Sequence, residues 1–180
     1  MVRAETAAAL LAHARAAVVA CVRGTPPPAP PQVPAYESGY GAFVTLSRRG
    51  ELRGCVGQVE PQLPLGELVG SMAVAAARDD PRFPPLLPDE LDDLDVHVSV
   101  LSAPARSAAD LVVPGRDGIV VRRGARQAVL LPQVATQYGW GRETLLSMAC
   151  RKAGLPEDAW RDPETVVLTF RAQNIPGEAV

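Results

Sequence analysis

Leu52-Arg53-Gly54-Cys55-Val56-Gly57 (LRGCVG) is the stretch on which the reading of this 180-residue chain turns. Two glycines within four residues weaken a strand, because glycine loses the most backbone freedom on ordering and brings no side chain to pack. Glycines so placed mark a bulge or a close approach by another backbone or a ligand. Arg53 and Cys55 are two apart, so a regular strand carries them on one face. A guanidinium beside a thiol favours the thiolate, which is how a cysteine nucleophile is prepared. The competing reading is a buried and inert thiol, since free cysteine is among the most buried residue types. On these features alone the buried reading is favoured.

Residues 40–46 (YGAFVTL) precede this stretch and read as a strand. Residues 47–51 contain Gly50 and read as a turn, so residues 52–59 complete a hairpin. Residues 65–78 carry Leu65, Leu68, Val69, Met72 and Ala76 at helical spacing, and Asp79-Asp80-Pro81 ends that helix. Residues 94–101 (LDVHVSVL) alternate, with Val96, Val98 and Val100 on one side and His97, Ser99 and Leu101 on the other. A second hairpin is expected from 118–121 and 127–131, turned at 122–125. Helices follow near 133–138 and 142–153, with Gly154 as a cap, then a last strand at 164–171 and a loose tail through Pro176-Gly177. At the other end, residues 5–23 form an alanine-rich helix stopped by Gly24. Six prolines between 25 and 34 exclude helix and favour a stiff, extended surface connector. Hairpins outnumber strand-helix-strand units. The expected class is therefore α/β of the α+β kind, a mainly antiparallel sheet flanked by helices. One domain spanning 1–180 is expected, with a helix at 5–23, a connector at 24–37 and a core at 38–172.

Composition narrows the function classes. Hydrophobic residues make up 47% and aromatics only 4%, so valine, leucine and alanine must fill the core. The net charge of −2 argues against a general nucleic-acid binder, which needs a basic face. Arg48, Arg49, Arg122, Arg123 and Arg126 flank turns and read as solvated turn residues. Cys21, Cys55 and Cys150 are three and widely spaced, and with only His13 and His97 as imidazoles they predict neither a disulfide framework nor a metal site. Reduced thiols fit a cytoplasmic protein. Residues 7–22 are apolar but carry His13 and Arg15, which reads as too short and interrupted for a membrane span or a leader.

LRGCVG is followed, in order, by DPRFPPL (80–86), VSVLS (98–102), Gly118-Ile119, LPQV (131–134), Tyr138-Gly139-Trp140 and KAGL (152–155). This ordered set resembles the AMMECR family over about residues 38–172, whose hallmark is LRGCIG. The resemblance implies an α/β domain with a larger and a smaller part. It also implies a cleft between them, lined by motif residues that include the hallmark cysteine. Bacterial and archaeal members often sit in genomic association with Memo-type and radical SAM proteins, which makes these possible partners. No biochemical activity, substrate or cofactor comes with the family name. Carried over by motif, the candidate residues are Cys55 for catalysis and Arg53, Gly54, Gly57, Asp80 and Arg82 for ligand binding. His97 departs from the pattern, where members often have glutamate, and Gly141 sits where an acidic residue is common. The proline run also exceeds the typical length.

Each candidate carries a bland alternative. His97 could serve Cys55 as a base if their strands adjoin, but a strand histidine with one hydrogen bond is the favoured reading. Asp80 and Arg82 could bind an anionic or amide ligand, or could pair with each other and fix the loop. Trp140 reads as a packing anchor rather than a ligand platform; Gln133 and Tyr138 are weaker candidates. Two functions compete. One is an enzyme or enzyme subunit that uses Cys55 to modify a small ligand or partner. The other is a non-catalytic binding or adaptor module. An RNA-associated role ranks last.

Overall fold

The computed structural model describes residues 1–34 and 41–177. In chain order its elements are α1 (Ala4–Arg23), β1 (Gly41–Arg48), β2 (Glu51–Gln58), α2 (Leu65–Arg78), β3 (Leu94–Leu101) and β4 (Ala105–Arg106). They continue with β5 (Gly118–Arg123), β6 (Arg126–Leu130), α3 (Pro132–Tyr138), α4 (Arg142–Lys152), β7 (Val166–Phe170) and β8 (Ala172–Ile175). The chain divides into two compact units, one of Met1–Leu101 with the segment from Gln173 onward, the other of Ser102–Ala172. Each holds a four-stranded sheet with helices packed on it. The class is the expected one, mixed α/β with antiparallel strands flanked by helices. Position 40, expected to open the first strand, and the junction of connector and core at 35–39 lie outside the described residues.

In the first unit the strand order is β2-β1-β3-β8. Arg49 and Gly50, with φ of 53° and 80°, close the β1–β2 hairpin. Two positive φ values in a two-residue loop match the twist of the flanking strands, so the turn is tighter than the five residues expected. Ala42, Val44, Leu46, Val96, Val98 and Val100 form a fully buried sheet face. Against it pack Leu10, Ala14 and Val18 of α1 and Leu68, Val69 and Ala73 of α2. Small aliphatic side chains thus build this core, as the scarcity of aromatics requires. α1 is 20 residues long and apolar enough to cross a membrane by length and composition. Length therefore does not exclude a span, contrary to the expectation. In this structure α1 instead spends its apolar face on the core, with Leu10 and Val18 fully buried.

The C-terminal segment also differs from expectation. The last strand ends at Phe170, and Ala172–Ile175 returns as β8 beside β3. Asn174 Oδ1 accepts from Ser99 Oγ at 2.9 Å, and Gln173 Oε1 accepts from Val2 N at 2.9 Å. Of β8 only Ile175 is buried, so the stretch carries too little apolar alternation to be read as a strand. In the second unit the order is β4-β7-β5-β6. Ile119, Val121, Leu145, Leu146 and Cys150 centre its core, and burial pushes the Cys150 thiol pKa up. Tyr138 stacks on Trp140 at 4.9 Å between centroids, and Trp140 packs against this core, the anchoring role expected of it. Gln133 is exposed.

Candidate functional site

β2 is an edge strand, so one row of its backbone groups has no strand partner. Thr45 opposes Cys55, and Leu46 opposes Gly54, but Ser47 opposes Leu52. Arg53 is the extra residue of a bulge, the feature the glycine signal anticipated. Gly54 shows the other anticipated feature. A Cβ there would collide with the Ala76 carbonyl of α2, so only glycine lets this helix approach the strand. Gly57 leaves room for the Phe43 ring in the same way. Both glycines of the motif are therefore occupied by packing.

The free edge of β2 at Cys55 is covered by side chains from the loop after α2. Asp80 Oδ2 accepts the Cys55 N–H at 2.8 Å, and Arg82 Nη2 donates to the Cys55 carbonyl at 3.2 Å. The two loop residues are themselves joined, Arg82 Nε to Asp80 Oδ1 at 2.9 Å and Nη2 to Oδ2 at 2.7 Å. The Arg82 N–H also reaches Asp80 Oδ1 at 3.1 Å. A carboxylate and a guanidinium thus take the place of a neighbouring strand. The Asp80 side chain is 3% exposed and that of Arg82 54%. The Arg82 guanidinium, joined by the Cys55 and Arg82 N–H groups, holds the Asp80 carboxyl well below the usual carboxylate range despite its burial. The fixed-loop reading of Asp80 and Arg82 is thus what the geometry contains.

Arg53 is not placed as expected. The bulge breaks the strict two-residue alternation, and the Arg53 guanidinium is gripped by Glu90, Nε to Oε1 at 2.8 Å and Nη2 to Oε2 at 2.9 Å. It also donates to the Pro84 carbonyl at 3.0 Å. Glu90 is buried, accepts the Leu87 N–H at 2.9 Å, and has its pKa lowered chiefly by Arg53. Arg53 and Arg82 both lie over the Phe83 ring, 5.9 and 5.5 Å from its centroid. Arg53 and Arg82 therefore join one cluster, but Arg82 is the guanidinium beside Cys55. Its own pKa is raised by Asp80 first and by Cys55 in lesser measure. Next to this cluster Arg48, Arg49, Glu51, Leu52, Arg53 and Glu90 line a surface depression of about 400 Å³. Arg48 and Arg49 both pair with Asp93, so these two turn arginines are ion-paired rather than merely solvated. Leu52 and Leu87 are exposed close by in sequence to these residues.

Cys55 is half-buried, and its Sγ lies 3.2 Å from Thr45 Oγ1. The pairing of His97 with Cys55 fails on topology. β1 lies between β2 and β3, so Thr45 separates the two residues. Two strand spacings amount to ~10 Å between their Cα atoms. His97 is also engaged elsewhere. Its Nδ1 accepts the Gly177 N–H at 3.3 Å, which puts any ring proton of the neutral form on Nε2, facing Ser47 Oγ at 3.5 Å. Among the described residues no group of three or more His, Cys, Asp or Glu side chains converges as metal ligands would. Sequence reasoning missed Thr45, Phe83, Glu90 and Asp93. Glu90 had a readable signal, a Pro-Asp-Glu run in which the carboxylate returns to the N–H opening a helical turn. The other three depend on strand order and on loop closure.

A family model described as AMMECR1 matches residues 11–175. A protein of Methanothermobacter thermautotrophicus is 50% identical, the alignment covering 77% of this chain and 76% of that protein. One from Thermofilum pendens is 43% identical over 94% of this chain and 89% of its own length. The crystal structure of the uncharacterised protein PH0010 from Pyrococcus horikoshii superposes with a TM-score of 0.86. It is 37% identical, covering 96% of this chain and 92% of that one.

Proposed function

The chain belongs to the AMMECR1 family, and from that premise we propose that it is a binding module rather than a thiol enzyme. Its site is the edge of β2 around Cys55 with Arg53, Asp80, Arg82 and Phe83. The observation that carries this reading is the double hold on Cys55. Its N–H and carbonyl are both tied to the Asp80–Arg82 pair, while no base reaches its thiol among the described residues. A surface locked in this way costs little ordering when a ligand arrives, which favours affinity. Arg82, half-exposed and already oriented by Asp80, is the group that meets the ligand. Memo-type and radical SAM proteins of the cytoplasm are the partners to try first. Calorimetric titration of a Memo-type protein into the purified chain tests the reading. Binding weakened ~10-fold or more by Arg82→Ala, and little changed by Cys55→Ser, is the expected result. Equal loss in Cys55→Ser would refute it.

A second reading has one observation behind it. Cys55 is only half-buried, and the Arg82 guanidinium lies beside it, donating to its carbonyl at 3.2 Å. In that case Cys55 modifies a small ligand or a partner. Alkylation by iodoacetamide at neutral pH distinguishes the two, since a prepared nucleophile reacts faster than free cysteine and slows in Arg82→Ala.

A further inference from the structure

The proline connector and the first two helices enclose a second feature, independent of the Cys55 site. Thr25 N–H donates to the Ala20 carbonyl at 2.9 Å, which ties the start of the connector to the end of α1. Farther on, the Pro31 carbonyl rests where a Cβ on Gly66 of α2 would stand, so the connector doubles back onto that helix. Between these anchors Pro27, Pro28 and Pro30 roof a groove of about 390 Å³ whose floor is Ala17 with Val74 and Ala75. That volume falls in the usual range of small-ligand sites, about 300–1,000 Å³. The prolines make the roof stiff, because the ring fixes φ and leaves no N–H that needs a partner.

His13 of α1 lies in this groove. It is 8% exposed, and its ring sits against Gly70, where any Cβ would collide with Nε2. No described residue makes a hydrogen bond to it. Burial lowers its pKa, which keeps the imidazole neutral at pH 7 with one N–H donor and one lone pair. Its ring is largely buried but its nitrogens keep some access, so a ligand in the groove can reach them without opening the fold. The charges at the mouth select the ligand. Glu67 and Asp79 are carboxylates, and Arg78 is already bound by Asp79 at 2.9 Å. An anion is therefore repelled, and the apolar walls disfavour any full charge.

We propose that this groove is a binding site for a neutral, ring-sized small molecule bearing one hydroxyl or N–H group, which hydrogen-bonds to His13. Phenol is the probe, titrated into the full chain and followed by NMR at the His13 ring protons and the Gly70 and Ser71 amides. Saturable shifts confined to these positions are expected, with benzoate binding ~10-fold or more weaker because of the acidic mouth. His13→Phe, which keeps the ring and removes the nitrogens, should weaken phenol ~10-fold, the usual effect of one lost neutral hydrogen bond. Ser71→Trp, at an exposed position on the rim, should block the site. If His13→Phe does not fold, Ser71→Trp decides alone. Absence of saturable shifts, benzoate binding as well as phenol, or phenol binding unchanged in the foldable variants would overturn the assignment.

Discussion

Asp80→Ala is the substitution whose consequences the structure defines most sharply. The carboxylate accepts two backbone N–H groups, from Cys55 at 2.8 Å and Arg82 at 3.1 Å, and its side chain is 3% exposed. Hydrogen bonds to a charged acceptor contribute ~1.5–3 kcal/mol each. The Arg82 contacts add under ~1 kcal/mol, because that guanidinium is half-exposed and screened. Removing the carboxylate also lifts the cost of burying it, so the net loss is ~3 kcal/mol. Arg82→Ala leaves both N–H groups held and should cost ~1 kcal/mol. The local assay is hydrogen exchange at the Cys55 amide. At ~1.4 kcal/mol per tenfold, Asp80→Ala should accelerate it by about two orders of magnitude and Arg82→Ala by about tenfold or less. Intrinsic fluorescence would miss the effect, since Trp140 and Trp160 both belong to the other unit. A Cys55 amide that exchanges equally in wild type and Asp80→Ala, or a larger effect from Arg82→Ala, would refute the reasoning.

Acid should weaken the first unit through the same groups. Asp80 and Glu90 both have folded pKa values below their unfolded ones, so their stabilisation is present above pH ~4 and lost as pH falls through the folded values. Urea midpoints followed by far-UV circular dichroism should drop below pH ~4, and drop less in Asp80→Ala. Gly54→Ala should destabilise by ~2–4 kcal/mol in the same urea assay, because the added carbon meets the Ala76 carbonyl, a backbone atom that cannot rotate away. Gly177→Ala should loosen the segment after β8, where the Val96 carbonyl occupies the Cβ position. Limited proteolysis should then cut near 172–177 sooner than in wild type, with Cys55 exchange unchanged.

Elements with a strong period were legible in the sequence. α2 and β3 fall on residues 65–78 and 94–101 as expected, since each sets a regular row of apolar residues into a single core. β8 was not, because a short edge strand with one buried residue carries no period of its own. The candidate site was legible as a list and not as an arrangement. Asp80 and Arg82 are near neighbours, so their pairing was open to local reasoning. That their joint partner is the Cys55 backbone, 25 positions away, follows from where α2 sets the loop against the edge of β2.

The meaning of LRGCVG shows where the two sources of information divide. Its residues announce glycines that need a reason, a cysteine, and membership of a family through the ordered companion motifs. Those are properties of chain chemistry and order, which need no third dimension. Strand order decided that His97 stands one strand too far from Cys55, and the bulge decided that Arg53 turns to Glu90. Both outcomes depend on which strands pair and in what register. Hydrogen bonding between distant segments sets these, and periodicity within either segment does not contain them.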